Sequence, residues 1–232
     1  NLATVNIGNI KSIPDKTFNG AGVASIDLSN VTSIGSNAFS GTKLTSVTLS
    51  GKLTKIGSSA FANCESLTSV VYDSTLTIPS NLFAGCVSLR EVTLNAKVKE
   101  IGSSAFKDCK SLESIDLQNV KTLKGSAFEG CTGLKTVAFA NSELTLDTYG
   151  SSFKGVNGVT FEVPANSDFY ADGGILYKGN TLFLNLDDRA DVVIRDGTTS
   201  INRNAFRYNT SVKTVTIPSS LTSIDGYYTF SD

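Results

Sequence analysis

The chain has 232 residues, of which 40% are hydrophobic and 18% are charged, and its formal net charge is −1. This composition is ordinary for a soluble folded protein. The near balance of charges, with no block of Lys and Arg, offers no attraction to nucleic acid or to an anionic membrane surface. No apolar run approaches the roughly 18 residues that are needed to span a bilayer. We therefore expect neither a nucleic-acid partner nor membrane insertion.

Catalytic chemistry has little support in the residue types present. The sequence contains no histidine, so the usual catalytic triads and the commonest general base at neutral pH are missing. No glycine-rich phosphate loop follows a strand and opens a helix. The acidic residues Asp187, Asp188 and Asp191 have a spacing that fits no known cation-binding loop, which favours a solvated turn over a metal site. We predict a protein that is not an enzyme and that uses no cofactor or metal.

A sequence pattern with a period of about 22 residues recurs along the chain, and the segment from Ile101 to Leu117 is a clear copy of it. Each copy has a phenylalanine, often preceded by alanine, and then an apolar L-x-x-V-x-L segment. A fixed period of this length is typical of a solenoid, in which no unit buries its own apolar face and stacked units share one core. The phenylalanine column consists of Phe18, Phe39, Phe61, Phe83, Phe106, Phe128, Phe153, Phe206 and Phe230.

Three elements are predicted in each regular repeat, and the regular repeats extend over residues 1–162. The L-x-x-V-x-L segment alternates in polarity, as a short strand with one buried face does. A Val/Leu-x-x-Ile segment, such as Val98 to Ile101, predicts a second short extended stretch. The I-G-x-x-A-F segment, such as Ile101 to Phe106, is too short for a full helix. Because a Ser or Asn after the Gly can cap a single turn, a one-turn α- or 3₁₀-helix is expected there.

The period fails between residues 163 and 200. Two apolar runs, Ile175 to Tyr177 and Leu182 to Leu184, flank a glycine-containing link of hairpin length, which predicts an island β-hairpin laid into the array. The repeats then resume over residues 201–232. Because residue 1 lies inside a repeat and Phe230 begins another, we expect one continuous domain that belongs to a longer chain.

Four cysteines each lie three residues after a column phenylalanine. The sequence has no paired C-x-x-C ligands and no histidine, so a zinc site is not expected. Stacked strands lie roughly 4.8 Å apart, which brings neighbouring α-carbons within disulfide range, but parallel side chains disfavour the bridge. We predict free thiols that pack as small hydrophobic groups. The column consists of Cys64, Cys86, Cys109 and Cys131.

The candidate binding surface is the outer side of the predicted strands. Residues between the inward-pointing apolar positions form a weakly charged, hydroxyl-rich face with few of the Tyr, Trp and Arg anchors that usually dominate interface energetics. The hairpin tyrosines, with Tyr227 and Tyr228, are the expected aromatic anchors. For each residue the alternative is an ordinary solvated position. The predicted binding residues are Asn6, Asp27, Thr48, Val71, Thr93, Asp116 and Thr160 on the strands, with Ala138 in the same outward row, and Tyr170 and Tyr177 in the hairpin.

The repeat motif I-G-x-x-A-F-x-x-C-x-x-L-x-x-V-x-L, with the island GILYKGNTL and the following VIRDGTTSI, resembles the BspA-type leucine-rich repeat, also described as the treponemal class. The resemblance covers essentially the whole chain. It implies an α/β repeat solenoid: a right-handed leucine-rich-repeat coil with a parallel strand face, mostly β and irregular with single-turn helices, plus the island β-hairpin. The asparagine column of the common leucine-rich repeat is not consistent here, so an asparagine ladder is not expected.

The resemblance also suggests a location and a role. Members of this family are mostly exported or surface-attached bacterial proteins, and some are adhesins that bind host matrix proteins or other cells. The expected role is therefore a non-catalytic, secreted or cell-surface module that binds a host or neighbouring-cell protein through the strand face. Two alternatives stay open, a structural spacer that projects another domain and a hydroxyl-rich face that binds a polysaccharide.

Overall fold

The computed structural model describes residues 3–140 and 143–231, so the extreme ends of the predicted segments 1–162 and 201–232 lie outside the described residues. The described chain winds as a solenoid of short strands and hydrogen-bonded turns, with a single 3₁₀-helix at Ser151–Phe153. None of the described helical structure is long and apolar enough to cross a membrane. The predicted solenoid is confirmed.

One set of parallel strands forms the surface that we call the strand face. Neighbouring strands pair in register wherever they are hydrogen-bonded, as Val47, Val70 and Val92 show. The inward side chains Val47 and Leu49 are buried, whereas Ser46 and Thr48 are exposed, which is the predicted alternation. The strands are Thr4–Val5, Ser25–Ile26, Ser46–Leu49, Ser69–Tyr72, Glu91–Leu94, Ser114–Asp116, Thr136–Ala138, Thr160–Glu162, Asp191–Val193 and Thr214–Thr216.

A second ladder of two-residue parallel strands runs along another side of each coil, where the Val/Leu-x-x-Ile segments were predicted to be extended. Threonine hydroxyls support it, since Thr54 Oγ1 donates to the carbonyl of Thr32 in the preceding coil at 3.0 Å. Isolated bridges join Ile78 to Ile101 and Thr122 to Thr145. The strands of the second ladder are Ser12–Ile13, Ser33–Ile34, Lys55–Ile56, Glu100–Ile101, Thr122–Leu123, Ser200–Ile201 and Ser223–Ile224.

The corner that carries the phenylalanine is built from turns, so the prediction of a single helical turn there is wrong in all described coils except at Ser151–Phe153. Ser104 has a φ of 56° and Asp108 a φ of 59°, values in the left-handed region that right-handed helices do not use. The equivalent residues of the other coils behave in the same way. Positive φ at the third position of Gly102–Ala105 and of Phe106–Cys109 is characteristic of type II turns.

The backbone of this corner bonds from coil to coil. In one coil the N–H groups of Ser104, Phe106 and Asp108 donate to the carbonyls of Gly125, Ala127 and Glu129 at 3.0, 2.8 and 2.7 Å. The residues two positions before and two positions after the phenylalanine have left-handed backbone conformations. These conformations point the three N–H groups toward the next coil. These bonds between coils therefore satisfy the hydrogen-bonding groups of the buried backbone at a corner that has no regular secondary structure.

The island hairpin is present and contains one strand more than predicted. Its antiparallel strands are Phe169–Asp172, Ile175–Lys178 and Thr181–Asn185. The last of them pairs in parallel with Ser200–Ile201, so the hairpin is joined to the second ladder. Parallel pairing on the strand face resumes at Asp191–Val193, and the segment predicted as island, 163–200, therefore includes one strand of the array.

The phenylalanine column forms the centre of the core. Successive rings from Phe18 to Phe153 stack with centroids 5.1 to 5.9 Å apart and interplanar angles of 22° or less. From Phe39 to Phe128 each ring is fully buried. Aromatic pairs at this separation stabilise a core beyond the apolar area that they bury.

All four cysteines are free and buried, as predicted, and the structure gives each a second role. Cys109 Sγ donates to the carbonyl of Phe83 at 3.2 Å, and Cys131 Sγ donates to the carbonyl of Phe106 at 3.0 Å. Cys64 and Cys86 make the same bond to Phe39 and Phe61 at 3.2 Å. Each thiol thus supplies a donor to the phenylalanine carbonyl of the preceding coil, a role that packing alone did not predict.

The core assignment predicts unequal costs of truncation at two sites. Phe106→Ala removes a fully buried ring between two stacked neighbours and should lower the free energy of unfolding by about 3 to 5 kcal/mol. Thr93→Ala changes an exposed side chain on the strand face and should stay within about 0.5 kcal/mol of the parent. Denaturant unfolding of both variants measures the difference. Equal losses would contradict the assignment of inside and outside.

The buried thiols should be unreactive in the folded protein. The thiolate is the reactive form. Burial raises the pKa of Cys109 well above its usual range and that of Cys131 to about 12, so both remain protonated at pH 8. Hydrogen bonding with Cys86 and Thr42 lowers the pKa of Cys64, but its side chain is fully buried and out of reach of a reagent. An aromatic disulfide reagent should label none of the four cysteines rapidly in native buffer and all of them in guanidinium. Fewer than four labelled thiols after unfolding would mean that a disulfide had formed.

Candidate functional site

The outward side chains of the strand face lie in two straight rows. One row contains Ser46, Ser69 and Glu91, which pair in register, and the other contains Thr48, Val71 and Thr93. Val71 is 41% exposed and is the large apolar side chain among these six residues. The predicted residues Asn6, Asp27, Thr48, Val71, Thr93, Asp116 and Thr160 are all exposed.

Two positions near the end of the regular array differ from the prediction. Ala138 is buried, at 7% exposure, although it lies in the outward row. Its neighbours in register are Asp116 and Glu162, both much larger. Thr160 pairs with Thr136 and so belongs to the other outward row. The apolar spacing of the repeat predicts Thr160 in the same row as Ala138, because Val159 and Phe161 have the spacing of Val137 and Phe139. The observed pairing of Val137 with Phe161 shifts this strand by two residues from that prediction.

Three of the predicted polar residues have a structural task at the strand ends. Asn6 Oδ1 accepts the N–H of Gly8 at 2.9 Å, Asp27 Oδ1 that of Ser29 at 2.8 Å, and Asp116 Oδ1 that of Gln118 at 2.8 Å. The bonds from Ser29 lower the pKa of Asp27. These side chains form Asx-turns, which commit one oxygen of each to the turn.

The two hairpin tyrosines have different environments. Tyr170 is 47% exposed and Tyr177 is fully buried, so the prediction that Tyr177 is an exposed anchor is wrong. Its hydroxyl accepts the backbone N–H of Arg195 at 3.2 Å, and burial raises its pKa. The Arg195 guanidinium lies 4.7 Å from the Tyr170 ring centroid and 4.9 Å from that of Tyr177. The accessible part of this group is therefore Tyr170 with Arg195.

Of the acidic residues Asp187, Asp188 and Asp191, only Asp187 forms an ion pair with Arg189, whereas Asp188 and Asp191 are exposed. Asp187 is buried, and its carboxylate accepts Arg189 N at 2.8 Å and Arg189 Nε at 2.7 Å. Burial opposes ionisation of Asp187, but the bonds from Arg189 outweigh it and lower the pKa. The described ranges contain no group of three Cys, Asp or Glu side chains placed to hold a metal ion.

A concave region that the sequence did not predict lies where the hairpin interrupts the array. It is a cavity of about 410 Å³ that we call the interruption cleft, and it is lined by Leu146, Thr148, Phe183, Asn202, Arg203 and Asp225 among others. Residues on its two sides are far apart in the chain, yet Asn204 Nδ2 donates to the carbonyl of Thr148 at 3.0 Å. No local sequence motif indicates a site that is assembled from segments so far apart in the chain.

Asp147 fixes one wall of the interruption cleft. Its Oδ1 accepts the N–H groups of Tyr149 and Ser151 at 3.0 and 3.1 Å, and its Oδ2 accepts that of Ser152 at 2.9 Å. Burial opposes ionisation of Asp147, but the bonds from Ser152 and Ser151 outweigh it and lower the pKa. An ionised carboxylate here holds the segment on either side of Tyr149 in one conformation.

A cluster of tyrosines and cations adjoins the cleft. The Arg207 guanidinium lies 4.8 Å from the ring centroids of both Tyr208 and Tyr228, and its Nη1 donates to the carbonyl of Tyr149 at 2.7 Å. Lys154 Nζ lies 5.2 Å from the Tyr208 centroid. Tyr149, Tyr227 and Tyr228 are 70%, 81% and 62% exposed, which makes this the most exposed aromatic group of the described chain.

Comparisons with known proteins give a family and a fold. The sequence matches the model of the BspA type leucine rich repeat region, in six copies, over residues 1–112, 73–172 and 177–232. A search of curated protein sequences gives no match.

Solved structures of low sequence identity share the fold. A leucine-rich repeat protein from Bacteroides ovatus has 22% identity and a TM-score of 0.58, with 94% of this chain and 67% of that chain covered. One from Eubacterium ventriosum has 18% identity and a TM-score of 0.56, with 78% and 50% covered. A leucine rich cell surface protein from Faecalibacterium prausnitzii has 20% identity and a TM-score of 0.52, with 97% and 68% covered. With the family match over nearly its whole length, the chain belongs to the BspA-type leucine-rich repeat family, as its repeats predicted.

Proposed function

We propose that the chain is a protein-binding module of a bacterial cell-surface or secreted protein and that it mediates adhesion to a host matrix or neighbouring-cell protein through the strand face. The observation that carries this proposal is the alignment of outward side chains on successive strands, such as Thr48, Val71 and Thr93. Family membership supports a protein-binding role, and one similar structure is that of a cell surface protein.

The strand face has properties that suit a binding platform. Its backbone is held by parallel hydrogen bonds, and the buried column of stacked rings supports it from behind. A rigid surface loses little conformational entropy when it binds, so a given contact area yields more affinity. The free oxygens of Asp27 and Asp116, the row hydroxyls and the exposed Val71 supply polar and apolar contacts on this face.

Substitutions on the strand face test the proposal. The triple variant Thr48→Lys, Val71→Lys and Thr93→Lys places three cations in the centre of the row and should weaken binding to immobilised matrix proteins at least tenfold, or by about 1.4 kcal/mol. Solid-phase binding and surface plasmon resonance, with matrix and epithelial surface proteins as ligands, measure the effect.

A matched control adds the same charge elsewhere. Ser12→Lys, Ser58→Lys and Ser103→Lys alter exposed serines that do not lie on the strand face and should leave binding unchanged. Equal losses in both triple variants would indicate a general effect of charge. A parent chain that binds no protein ligand would contradict adhesion and favour the role of a spacer.

A further inference from the structure

The charges on the strand face are few, and they are all of one sign. The chain as a whole has 20 Lys and Arg residues against 21 Asp and Glu residues, so both signs are equally available. The two outward rows, followed over the ten described strands, nevertheless hold exposed carboxylates and no Lys or Arg. These carboxylates belong to Asp27, Glu91, Asp116, Glu162 and Asp191.

The cations of the chain lie on other surfaces. Lys55 belongs to a strand of the second ladder, and Lys99 and Lys121 directly precede two further strands of that ladder. Lys135 lies at the edge of the strand face, where it pairs with Glu113 at 3.9 Å. Within residues 3–140 and 143–231, no Lys or Arg forms an ion pair with a carboxylate of the two outward rows. The strand face therefore presents negative charge that ion pairing within the chain does not neutralise.

A small depression, which we call the acidic notch, interrupts the outward row at Ala138. This alanine pairs in register with Asp116 on one side and with Glu162 on the other, and its side chain is only 7% exposed. The depression has a volume of about 170 Å³, less than the roughly 300 to 1,000 Å³ of pockets for drug-sized ligands. Its size suits a single side chain of a partner. The lining also includes Ser114, Gln118 and Thr136.

Both carboxylates of the acidic notch keep oxygens available to a partner. Asp116 Oδ1 accepts the N–H of Gln118 at 2.8 Å, and its Oδ2 has no partner among the described residues. The Glu162 carboxylate likewise accepts no hydrogen bond from the described part of the chain. Ca²⁺ takes about six to eight oxygen ligands, and no third acidic group of the described ranges is placed to help hold a metal ion.

A cationic side chain fits the notch in both charge and shape. Strands lie roughly 4.8 Å apart, so a cation above Ala138 is within one strand spacing of each carboxylate-bearing strand. A guanidinium or ammonium group carries several N–H donors for the two carboxylates. The aliphatic stem of Arg or Lys packs on apolar surface, which the alanine methyl group offers. Anionic partners, such as nucleic acid or sulfated polysaccharide, are repelled by the same charges.

We propose that the partner of the strand face is a protein with a basic contact surface and that one of its Arg or Lys side chains enters the acidic notch between Asp116 and Glu162. This inference rests on the proposed function, since it assigns the chemistry of the partner to the same face. The notch provides a fixed point on a face whose rows otherwise repeat similar side chains. Charge complementarity of this kind sets the register of a complex and accelerates its formation.

Fluorescence anisotropy with two labelled synthetic peptides tests the charge preference. One peptide has arginine at every third position between glycine and serine, and the other has citrulline, which is uncharged and nearly isosteric, at the same positions. The parent chain should bind the arginine peptide at least about tenfold more tightly. This affinity should fall as the salt concentration rises from about 0.05 M to about 0.5 M, because salt screens exposed charges.

Substitutions in the acidic notch test its location. The double variant Asp116→Asn and Glu162→Gln removes both charges and should weaken binding of the arginine peptide at least about fivefold. Asparagine can keep the turn at residue 116, because Asn6 makes the same bond in its own coil. Ala138→Arg places a cation of the chain itself in the notch and should weaken binding at least as much. Unchanged circular dichroism spectra verify that both variants fold.

A matched control removes the same charge elsewhere. Glu65→Gln and Asp196→Asn alter exposed carboxylates that do not lie on the strand face and should leave peptide binding unchanged. Equal affinity for the two peptides, or equal losses in the notch and control variants, would overturn the proposal.

The peptide experiment also separates this inference from the adhesion proposed for the strand face. If the parent chain binds an immobilised matrix protein through that face but does not distinguish the two peptides, adhesion stands and the basic partner is refuted. If the arginine peptide binds through the notch while matrix and epithelial surface proteins do not bind, the charge preference stands and adhesion to those ligands is refuted.

Discussion

The contact between one coil and the next at the phenylalanine corner is the interaction on which the rest of the structure depends. Each ring stacks on the ring of the neighbouring coil, and each phenylalanine N–H donates to a carbonyl one coil further on, at 2.8 Å from Phe106 to Ala127. A single coil has neither partner. The strands beside this corner are only two to four residues long in the regular array, which is too short to be stable alone. Their register therefore follows from the stacking of the corner.

The sequence predicts those parts of the fold that repeat. Phenylalanine and apolar spacing recur at nearly fixed intervals, so the column of rings, the strand face and the second ladder all follow from the pattern. The turns at the corner were mistaken for helical turns because Ser and Asn suit both a helix cap and a left-handed turn position. The regular glycine two residues after the phenylalanine, as at Gly20, Gly41 and Gly85, was the signal for the second interpretation.

Sequence reasoning also missed features that occur only once in the chain. Tyr177 reads as an outward residue of a hairpin, but the hairpin packs against the array on one side, and the ring is buried there with its hydroxyl on Arg195. The interruption cleft joins residues as distant as Thr148 and Asn204. Their proximity depends on how the hairpin replaces a coil, and neither a period nor a local motif encodes that replacement.

The strand face and the interruption cleft represent opposite uses of a repeat array. On the strand face the same kind of side chain recurs at each step, so any contact extends over several coils and no single residue dominates. The cleft arises where repetition stops, and it is lined by residues from separate parts of the chain, among them Leu146, Phe183, Asn202 and Asp225. One solenoid therefore provides both a broad surface and a compact pocket.

The thiol column has a consequence for how such proteins change in length. Each of the four cysteines donates to the phenylalanine carbonyl of the coil before it, so each of these coils supplies the donor for its predecessor. Duplication or deletion of one of these coils therefore leaves every such pair complete. No sulfur loses its partner, as happens when a disulfide-linked unit is cut, so this part of the array can change by a single coil and keep its thiol bonds.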